Sequence, residues 1–137
     1  MDVTQIPFVK HLGIEKNEEG ILKLEPTLTV QNHIQTIHAA AQFTLAETQS
    51  GLYLQTLFPE YRGKVMPLLR ESSVKYKKPA TSTLTASAYV EEGVKEKFLI
   101  ALKSKRRAII TVDVELRDEN QVVTMRGDFT WFIGNIE

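Results

Sequence analysis

The stretch that decides the fold covers residues 38–57 and reads HAAAQFTLAETQSGLYLQTL. It contains no proline, it is apolar on several sides, and it is followed directly by Phe58 and Pro59. A helix is expected to end there, because a proline pushes the residue before it out of the α region. At 1.5 Å per residue the helix would be about 30 Å long, the diameter of a small domain. The pattern therefore predicts a long buried helix that the rest of the chain surrounds.

One carboxylate lies in the middle of this helix. Glu47 shares a row with Ala40, Phe43, Ser50 and Leu54, its neighbours at three, four and seven positions. A carboxylate on a mostly apolar stripe costs free energy unless it is paired or used. Glu47 is thus either a solvated or hydrogen-bonded side chain or a chemical group of a site.

Composition limits the classes of function. The 137 residues predict a single domain, 1–137, and the 17 basic and 17 acidic residues give no net field that would favour nucleic acid or an anionic membrane. There is no cysteine, and the three histidines lack a His-x-x-x-His spacing, so we expect neither thiolate chemistry nor a metal site. No signal-like segment and no apolar run of transmembrane length is visible, which predicts a cytoplasmic protein.

The segments around the helix predict mostly strands. A short helical turn is expected at 6–12 and a hairpin at 14–16 and 21–25. Alternation of apolar and polar residues predicts strands at 68–78, 83–90, 108–117 and 122–132, the last three forming an antiparallel meander. Between the second and third of these, residues 92–105 change to helical spacing and predict a short amphipathic helix. The whole is an α+β fold.

A motif around the long helix carries a family resemblance. Asn32, His38-Ala39-Ala40 and Leu45-Ala46-Glu47 keep the spacing Asn, then six residues later His-Gly-Gly, then nine after the histidine an acidic residue that follows Leu-Ala. Together with the segment 74–80, VKYKKPA, this resembles the hotdog fold, in which a long antiparallel sheet wraps a central helix. In detail it resembles the phenylacetate-type branch of acyl-CoA thioesterases.

The sequence departs from that branch at three places. Both glycines of the motif are alanine, at Ala39 and Ala40, and a hydroxyl that some members carry ten residues before the strand's proline falls on Leu69. The predicted helix 92–105 is also longer than the short turn usual there, which is more similar to uncharacterised hotdog proteins.

The resemblance implies roles for four residues in thioester hydrolysis. Glu47 would be the general base or the nucleophile, and Asn32 would orient water or the acyl carbonyl. The backbone amide of Ala39, at the positive end of the helix, would bind the thioester oxygen. His38 would orient the entry to the helix or touch the thioester, although a capping or packing histidine is an equal interpretation.

The same roles predict a homodimer. Ala39 and Glu47 are eight residues apart on one helix, about 12 Å along its axis, so one chain cannot bring both to one carbon atom. The second subunit would complete the site, giving a homodimer or a dimer of dimers. No cofactor is expected beyond the coenzyme A that belongs to the substrate.

Two basic clusters are candidates for the phosphates of coenzyme A. One contains Lys77 and Lys78 at the end of a strand, and the other contains Arg106 and Arg107 before another strand. Charge runs are usually solvated surfaces, but one cluster is expected to contact the nucleotide. Arginine is the better bidentate phosphate ligand, which favours Arg106 and Arg107.

Two other functions stay open. A hydroxyacyl-thioester dehydratase would use a histidine fourteen residues before the helix glutamate, and His33 has that spacing, but the prolines of that branch are missing between residues 31 and 48. The chain would otherwise be a non-catalytic domain that binds an acyl thioester or serves as a dimeric scaffold. The two alanines in place of glycine favour this reading, whereas a buried carboxylate opposes it.

Overall fold

The structure is a computed structural model that describes residues 1–136. The helices are α1, Pro7–His11; α2, Ala39–Leu57; and α3, Val94–Lys105. The strands are β1, Glu15–Lys16; β2, Leu22–Leu24; β3, Val65–Tyr76; β4, Leu84–Tyr89; β5, Arg107–Arg117; and β6, Val123–Asn135. Short 3₁₀ turns lie at Val3–Gln5, Leu28–Val30 and Pro59–Tyr61.

The strands form one antiparallel sheet of six, in the order β1-β2-β4-β5-β6-β3, with α2 packed against it. This confirms the α+β hotdog architecture and its one central helix. The extra helix is also confirmed as α3, and it begins at Val94 because Gly93 precedes it in the left-handed region at φ +84°. No helix within residues 1–136 combines the length and the apolarity that crossing a membrane would need.

Strand β3 begins three residues earlier than its pattern predicts. The alternating pattern starts the strand at residue 68, but pairing of Val65 and Met66 with the end of β6 extends it to residue 65. The cross-strand partner, which lies seventy residues away in sequence, decides this boundary. Local composition cannot reveal it.

Helix α2 is buried on most of its circumference, although it carries several hydroxyl groups. Thr44 donates to the carbonyl of Ala40 at 2.9 Å, and Thr48 donates to the carbonyl of Thr44 at 2.6 Å. These bonds satisfy the hydroxyls inside the helix, so they can be buried without other partners. The helix therefore packs on several sides despite its polar residues.

The core lies between α2 and one face of the sheet. In β5 every second residue is buried, from Ala108 to Leu116, and on α2 both Leu45 and Ala46 are fully buried. At the end of α2, the Phe58 ring contacts Phe98 of α3 with 5.3 Å between ring centroids, so α3 closes that end of the core.

Strand β3 forms an open edge. It pairs with β6 along its length, and most of its residues are exposed. Within residues 1–136, no strand covers its other side. A twelve-residue edge with unpaired backbone groups is a template for pairing with another chain.

Candidate functional site

The entry to α2 is capped by a histidine ring. Nδ1 of His38 accepts a hydrogen bond from the amide of Ala40 at 2.9 Å, while the His38 carbonyl accepts from the amides of Ala41 and Gln42 at 2.9 and 3.0 Å. Because Nδ1 is an acceptor, the neutral ring carries its proton on Nε2. The structure thus gives His38 a capping role, in which Nδ1 takes part and Nε2 does not.

The cap leaves one amide of the first turn unused. In the described chain the N–H of Ala39 has no hydrogen-bond partner, and Ala39 is exposed. This N–H lies at the positive end of a nineteen-residue helix, where partial positive charge favours an anion or a carbonyl oxygen that gains negative charge. The carbonyl of the same residue accepts from the hydroxyl of Tyr76 at 3.1 Å, which ties this turn to the end of β3.

Glu47 lies two turns further along α2 and is half-buried. Among residues 1–136 its carboxylate has neither a hydrogen bond nor an ion pair. Burial raises the pKa of this carboxyl above its ordinary value, because the charged form loses solvation that nothing nearby replaces. A carboxylate with a raised pKa is a stronger base and is typical of a general acid or base.

The backbone at Glu47 is held by a chain of two hydrogen bonds. Trp131 on β6 donates its indole N–H to Oγ of Ser50 at 2.9 Å, and Ser50 donates to the carbonyl of Glu47 at 2.7 Å. On the same face, the rings of Phe43 and Phe129 meet edge to face at 5.4 Å between centroids. These contacts fix the turn of α2 that carries the carboxylate.

Asn32 lies in the loop before α2, and its side chain bonds to that loop. Its Oδ1 accepts from the amides of Ile34 and Thr36 at 3.1 and 3.0 Å, and its Nδ2 donates to Oγ1 of Thr36 at 2.8 Å. These bonds close the turn that carries Gln35 at φ +60°. They give Asn32 a role in shaping the loop, and a role in orienting water stays a prediction.

The structure separates the two basic clusters. Lys77 and Lys78 follow β3 beside the beginning of α2, where their amides donate to the carbonyl of Thr124 at 2.8 and 3.3 Å. Arg107 pairs with Gly134, which also pairs with Met66 at the start of β3, so Arg106 and Arg107 lie at the opposite end of the sheet. All four basic side chains are exposed.

Two cavities open on the surface near α2. One of about 170 Å³ lies at the beginning of the helix, between α1 and the 3₁₀ turn Leu28–Val30. Another of about 440 Å³ lies toward the other end of α2, with Lys16 and Arg62 in its wall. No group of three or more histidine or acidic side chains within residues 1–136 is arranged to hold a metal ion.

The sequence pattern points to the candidate residues of the helix but not to the residues that support them. Tyr76 belongs to the segment that carries the resemblance, yet its bond to Ala39 was not predicted. Ser50 was placed in the row of Glu47, three positions away, which is the spacing at which a hydroxyl reaches a helix carbonyl. The cavity beside α1 had no signal in the sequence.

Solved structures with the same fold were found for nearly the whole chain. A protein of unknown function from Pseudomonas aeruginosa, described as a probable thioesterase, is 18% identical with a TM-score of 0.77, over 97% of this chain and 91% of that one. A thioesterase from Haemophilus influenzae is 18% identical with a TM-score of 0.76, over 98% and 88%. A Bacillus halodurans protein solved with CoA is 20% identical with a TM-score of 0.69, over 89% and 72%. At these identities the likeness shows the shared fold.

No curated protein matches the chain. A family model does, over residues 6–133, which include every helix and all but the last two residues of the sheet. The chain therefore belongs to the family described as "Domain of unknown function (DUF4442)".

Proposed function

We propose that the protein is an acyl-CoA thioesterase in which Glu47 acts on a substrate held at the Ala39 amide of a second subunit. The observation that carries this proposal is the unpaired, half-buried carboxylate of Glu47, whose pKa is raised by burial. A structural role gives no reason to keep an unpaired carboxylate in such surroundings. The fold shared with proteins named thioesterases supports the same class of reaction.

The proposed reaction needs a base and an oxyanion site. Glu47 removes a proton from water as the water oxygen attacks the thioester carbon, and the Ala39 amide and the helix dipole stabilise the negative carbonyl oxygen. The carbon–sulfur bond then breaks, and the proton on Glu47 passes to the leaving thiolate. The products are a carboxylic acid and free coenzyme A. Direct attack by Glu47, followed by hydrolysis of the anhydride, is the variant with a nucleophilic carboxylate.

The two groups define where the second subunit would lie. Suppose that Ala39 of each chain faces Glu47 of the other across a two-fold axis. The axis would then pass near Phe43, the residue midway between Ala39 and Glu47 along the helix. The ring of Phe43 contacts Phe129, and Phe129 pairs with Ser72 on β3. The same axis would therefore pass near Ser72, close to the middle of the open edge, so the edges of two copies would pair antiparallel.

This arrangement would also bring the basic clusters together. Lys77 and Lys78 lie beside the Ala39 end of α2, whereas Arg106 and Arg107 lie at the other end of the sheet. Antiparallel pairing of the two β3 edges reverses one subunit, so Arg107 of the partner subunit would approach Lys78. We propose that the phosphates of coenzyme A bind between these clusters. That a protein of similar fold was solved with CoA supports coenzyme A as part of the ligand.

The test is release of free thiol from acyl-CoA esters, with wild type compared with Glu47→Gln. Glutamine keeps the shape of the side chain but cannot accept a proton, so we expect at least about a hundredfold loss of kcat. Glu60→Gln is the matched control, because Glu60 is an exposed carboxylate in the 3₁₀ turn after α2. Its activity should stay at the wild-type level.

Three results would contradict the proposal. Equal hydrolysis by wild type and a folded Glu47→Gln variant would remove Glu47 from the mechanism. No thiol release from short, long or aromatic esters would favour a domain that binds acyl thioesters without cleaving them. A molar mass of one chain by light scattering at assay concentration would contradict the shared site.

A further inference from the structure

We infer that the cavity at the beginning of α2 is the acyl pocket and that it selects short acyl groups, with Phe8 of α1 as its outer wall. This inference rests on the proposed thioesterase function and adds the substrate class. It is carried by the position, the lining and the size of the cavity.

The position fits an acyl group bound at the oxyanion site. His38 and Ala40, the residues on either side of Ala39, both line the cavity. A thioester whose carbonyl oxygen accepts from the Ala39 amide would therefore lie beside the opening of this cavity. The larger cavity near Lys16 and Arg62 lies at the other end of the helix, away from this amide.

The lining fits an alkyl group. Val30 and Ala41 are buried and form the inner part, whereas Phe8 of α1 and Leu12, which follows that helix, form one side. Ala40 occupies a position where the resemblance has glycine, so its methyl group lines the cavity and narrows it. The alanine that departs from the motif thus has a consequence for specificity.

The size limits the length of the chain. An apolar cavity of about 150 Å³ holds one benzene molecule, which has six carbon atoms. The cavity here measures about 170 Å³, so it accommodates a group of similar size. An acyl chain of about four to six carbon atoms fills it. A longer chain has to pass Phe8, a residue that is 62% exposed and borders solvent.

The experiment measures kcat/KM for acyl-CoA esters from two to sixteen carbon atoms. Wild type should prefer about four to six carbon atoms. Phe8→Ala opens the outer wall and should raise the ratio of the ten-carbon to the six-carbon ester by at least about tenfold, since one methylene in a pocket is worth about 10- to 200-fold. Thr29→Phe, at an exposed position that lines the cavity, should shift the preference toward the two-carbon ester.

The control is Leu28→Ala. Leu28 is 84% exposed, lies beside Thr29 in the same 3₁₀ turn, and does not line the cavity. Its chain-length profile should equal that of wild type. A profile that neither Phe8→Ala nor Thr29→Phe changes would overturn the pocket, even if hydrolysis still depends on Glu47.

Binding separates failure of the pocket from failure of the enzymatic function. Isothermal titration calorimetry with hexanoyl-CoA and with coenzyme A alone measures the contribution of the acyl group. If no ester is hydrolysed but hexanoyl-CoA binds more tightly than coenzyme A, and Thr29→Phe removes the difference, the pocket stands and the hydrolase function fails. Equal affinity of both compounds for the wild type would overturn the pocket.

Discussion

The hydroxyl of Tyr76 donates a hydrogen bond of 3.1 Å to the carbonyl of Ala39, a residue 37 positions earlier in the chain. The bond joins the last residue of the open edge strand to the first residue of the central helix. The peptide group after Ala39 is thereby held from the sheet side, while the amide before it stays unbonded within the described chain. The edge strand and the proposed oxyanion site therefore depend on each other.

Replacing Tyr76 by phenylalanine removes only this bond. We expect the free energy of unfolding to fall by about 0.5–1.5 kcal/mol, the usual net value of one hydrogen bond, and near the lower end because Tyr76 is 45% exposed. Urea denaturation measures it. Tyr89→Phe is the matched control, since Tyr89 is 49% exposed and its hydroxyl has no hydrogen bond within residues 1–136. An equal loss in both variants would mean that the bond to Ala39 contributes nothing.

A larger effect is expected at Ser50, which is fully buried. Ser50→Ala leaves the indole N–H of Trp131 without its acceptor, and a buried unsatisfied donor costs about 1–3 kcal/mol. Thr56→Ala is the control, because Thr56 makes the same type of bond to the carbonyl of Tyr53 at 2.6 Å but is exposed. Trp131 is the one tryptophan of the sequence, so its fluorescence reports both unfolding and the change around the indole. A Ser50→Ala variant as stable as Thr56→Ala would contradict the network.

Glu47 should lower stability at neutral pH. Burial raises its pKa in the folded state above the ordinary value of 4.5, so the folded protein holds this proton more tightly than the unfolded chain does. The resulting stabilisation is complete below pH 4.5 and is lost as the pH rises through the folded-state pKa. Glu47→Gln has no such loss. Its stability relative to wild type should therefore increase as the pH rises from 4 to 8.

The measurement is urea denaturation of both proteins across this pH range at one protein concentration, because association changes apparent stability. A difference that is independent of pH would show that Glu47 ionises equally in both states. A variant that becomes less stable relative to wild type at high pH would point to a stabilising partner for the carboxylate.

Much of the fold could be predicted from the sequence, because the main signals are periodic and local. The proline-free run before Pro59 predicts α2, and the alternation in residues 108–117 predicts β5 within one residue. Both patterns report which faces are buried, and burial decides secondary structure here. The motif spacing predicts Glu47 and the Ala39 amide as site residues, and both lie on one regular helix; their roles stay a prediction.

The rest could not be predicted, because it depends on contacts between residues distant in sequence. Trp131 and Ser50 are 81 positions apart, and Gln42 accepts from the buried hydroxyl of Thr124 over 82 positions. Asn32 shows a second limit, which concerns local contacts. Its spacing fits the motif, but its side chain bonds to the loop around it. Spacing alone does not distinguish these two uses of an amide.

Two glycine substitutions should change stability in opposite directions. Gly51 lies inside α2, where glycine costs about 0.5–1 kcal/mol relative to alanine. A Cβ atom there would meet the ring of Trp131 at 3.5 and 3.6 Å, which is ordinary contact. Gly51→Ala should therefore stabilise the protein by about that amount, seen as a higher urea midpoint with an unchanged slope.

Gly127 on β6 is the matched counterpart. A Cβ atom there would lie 2.7 Å from Cγ1 of Val74 and 3.1 Å from the carbonyl oxygen of Ser73, so β3 would have to move. Overpacking of this kind costs about 1–3 kcal/mol, and Gly127→Ala should lower the urea midpoint. Since β3 is the proposed dimer edge, Gly127→Ala should also weaken association measured by light scattering. A stable, fully associated Gly127→Ala variant would contradict the close packing of β6 against the edge strand.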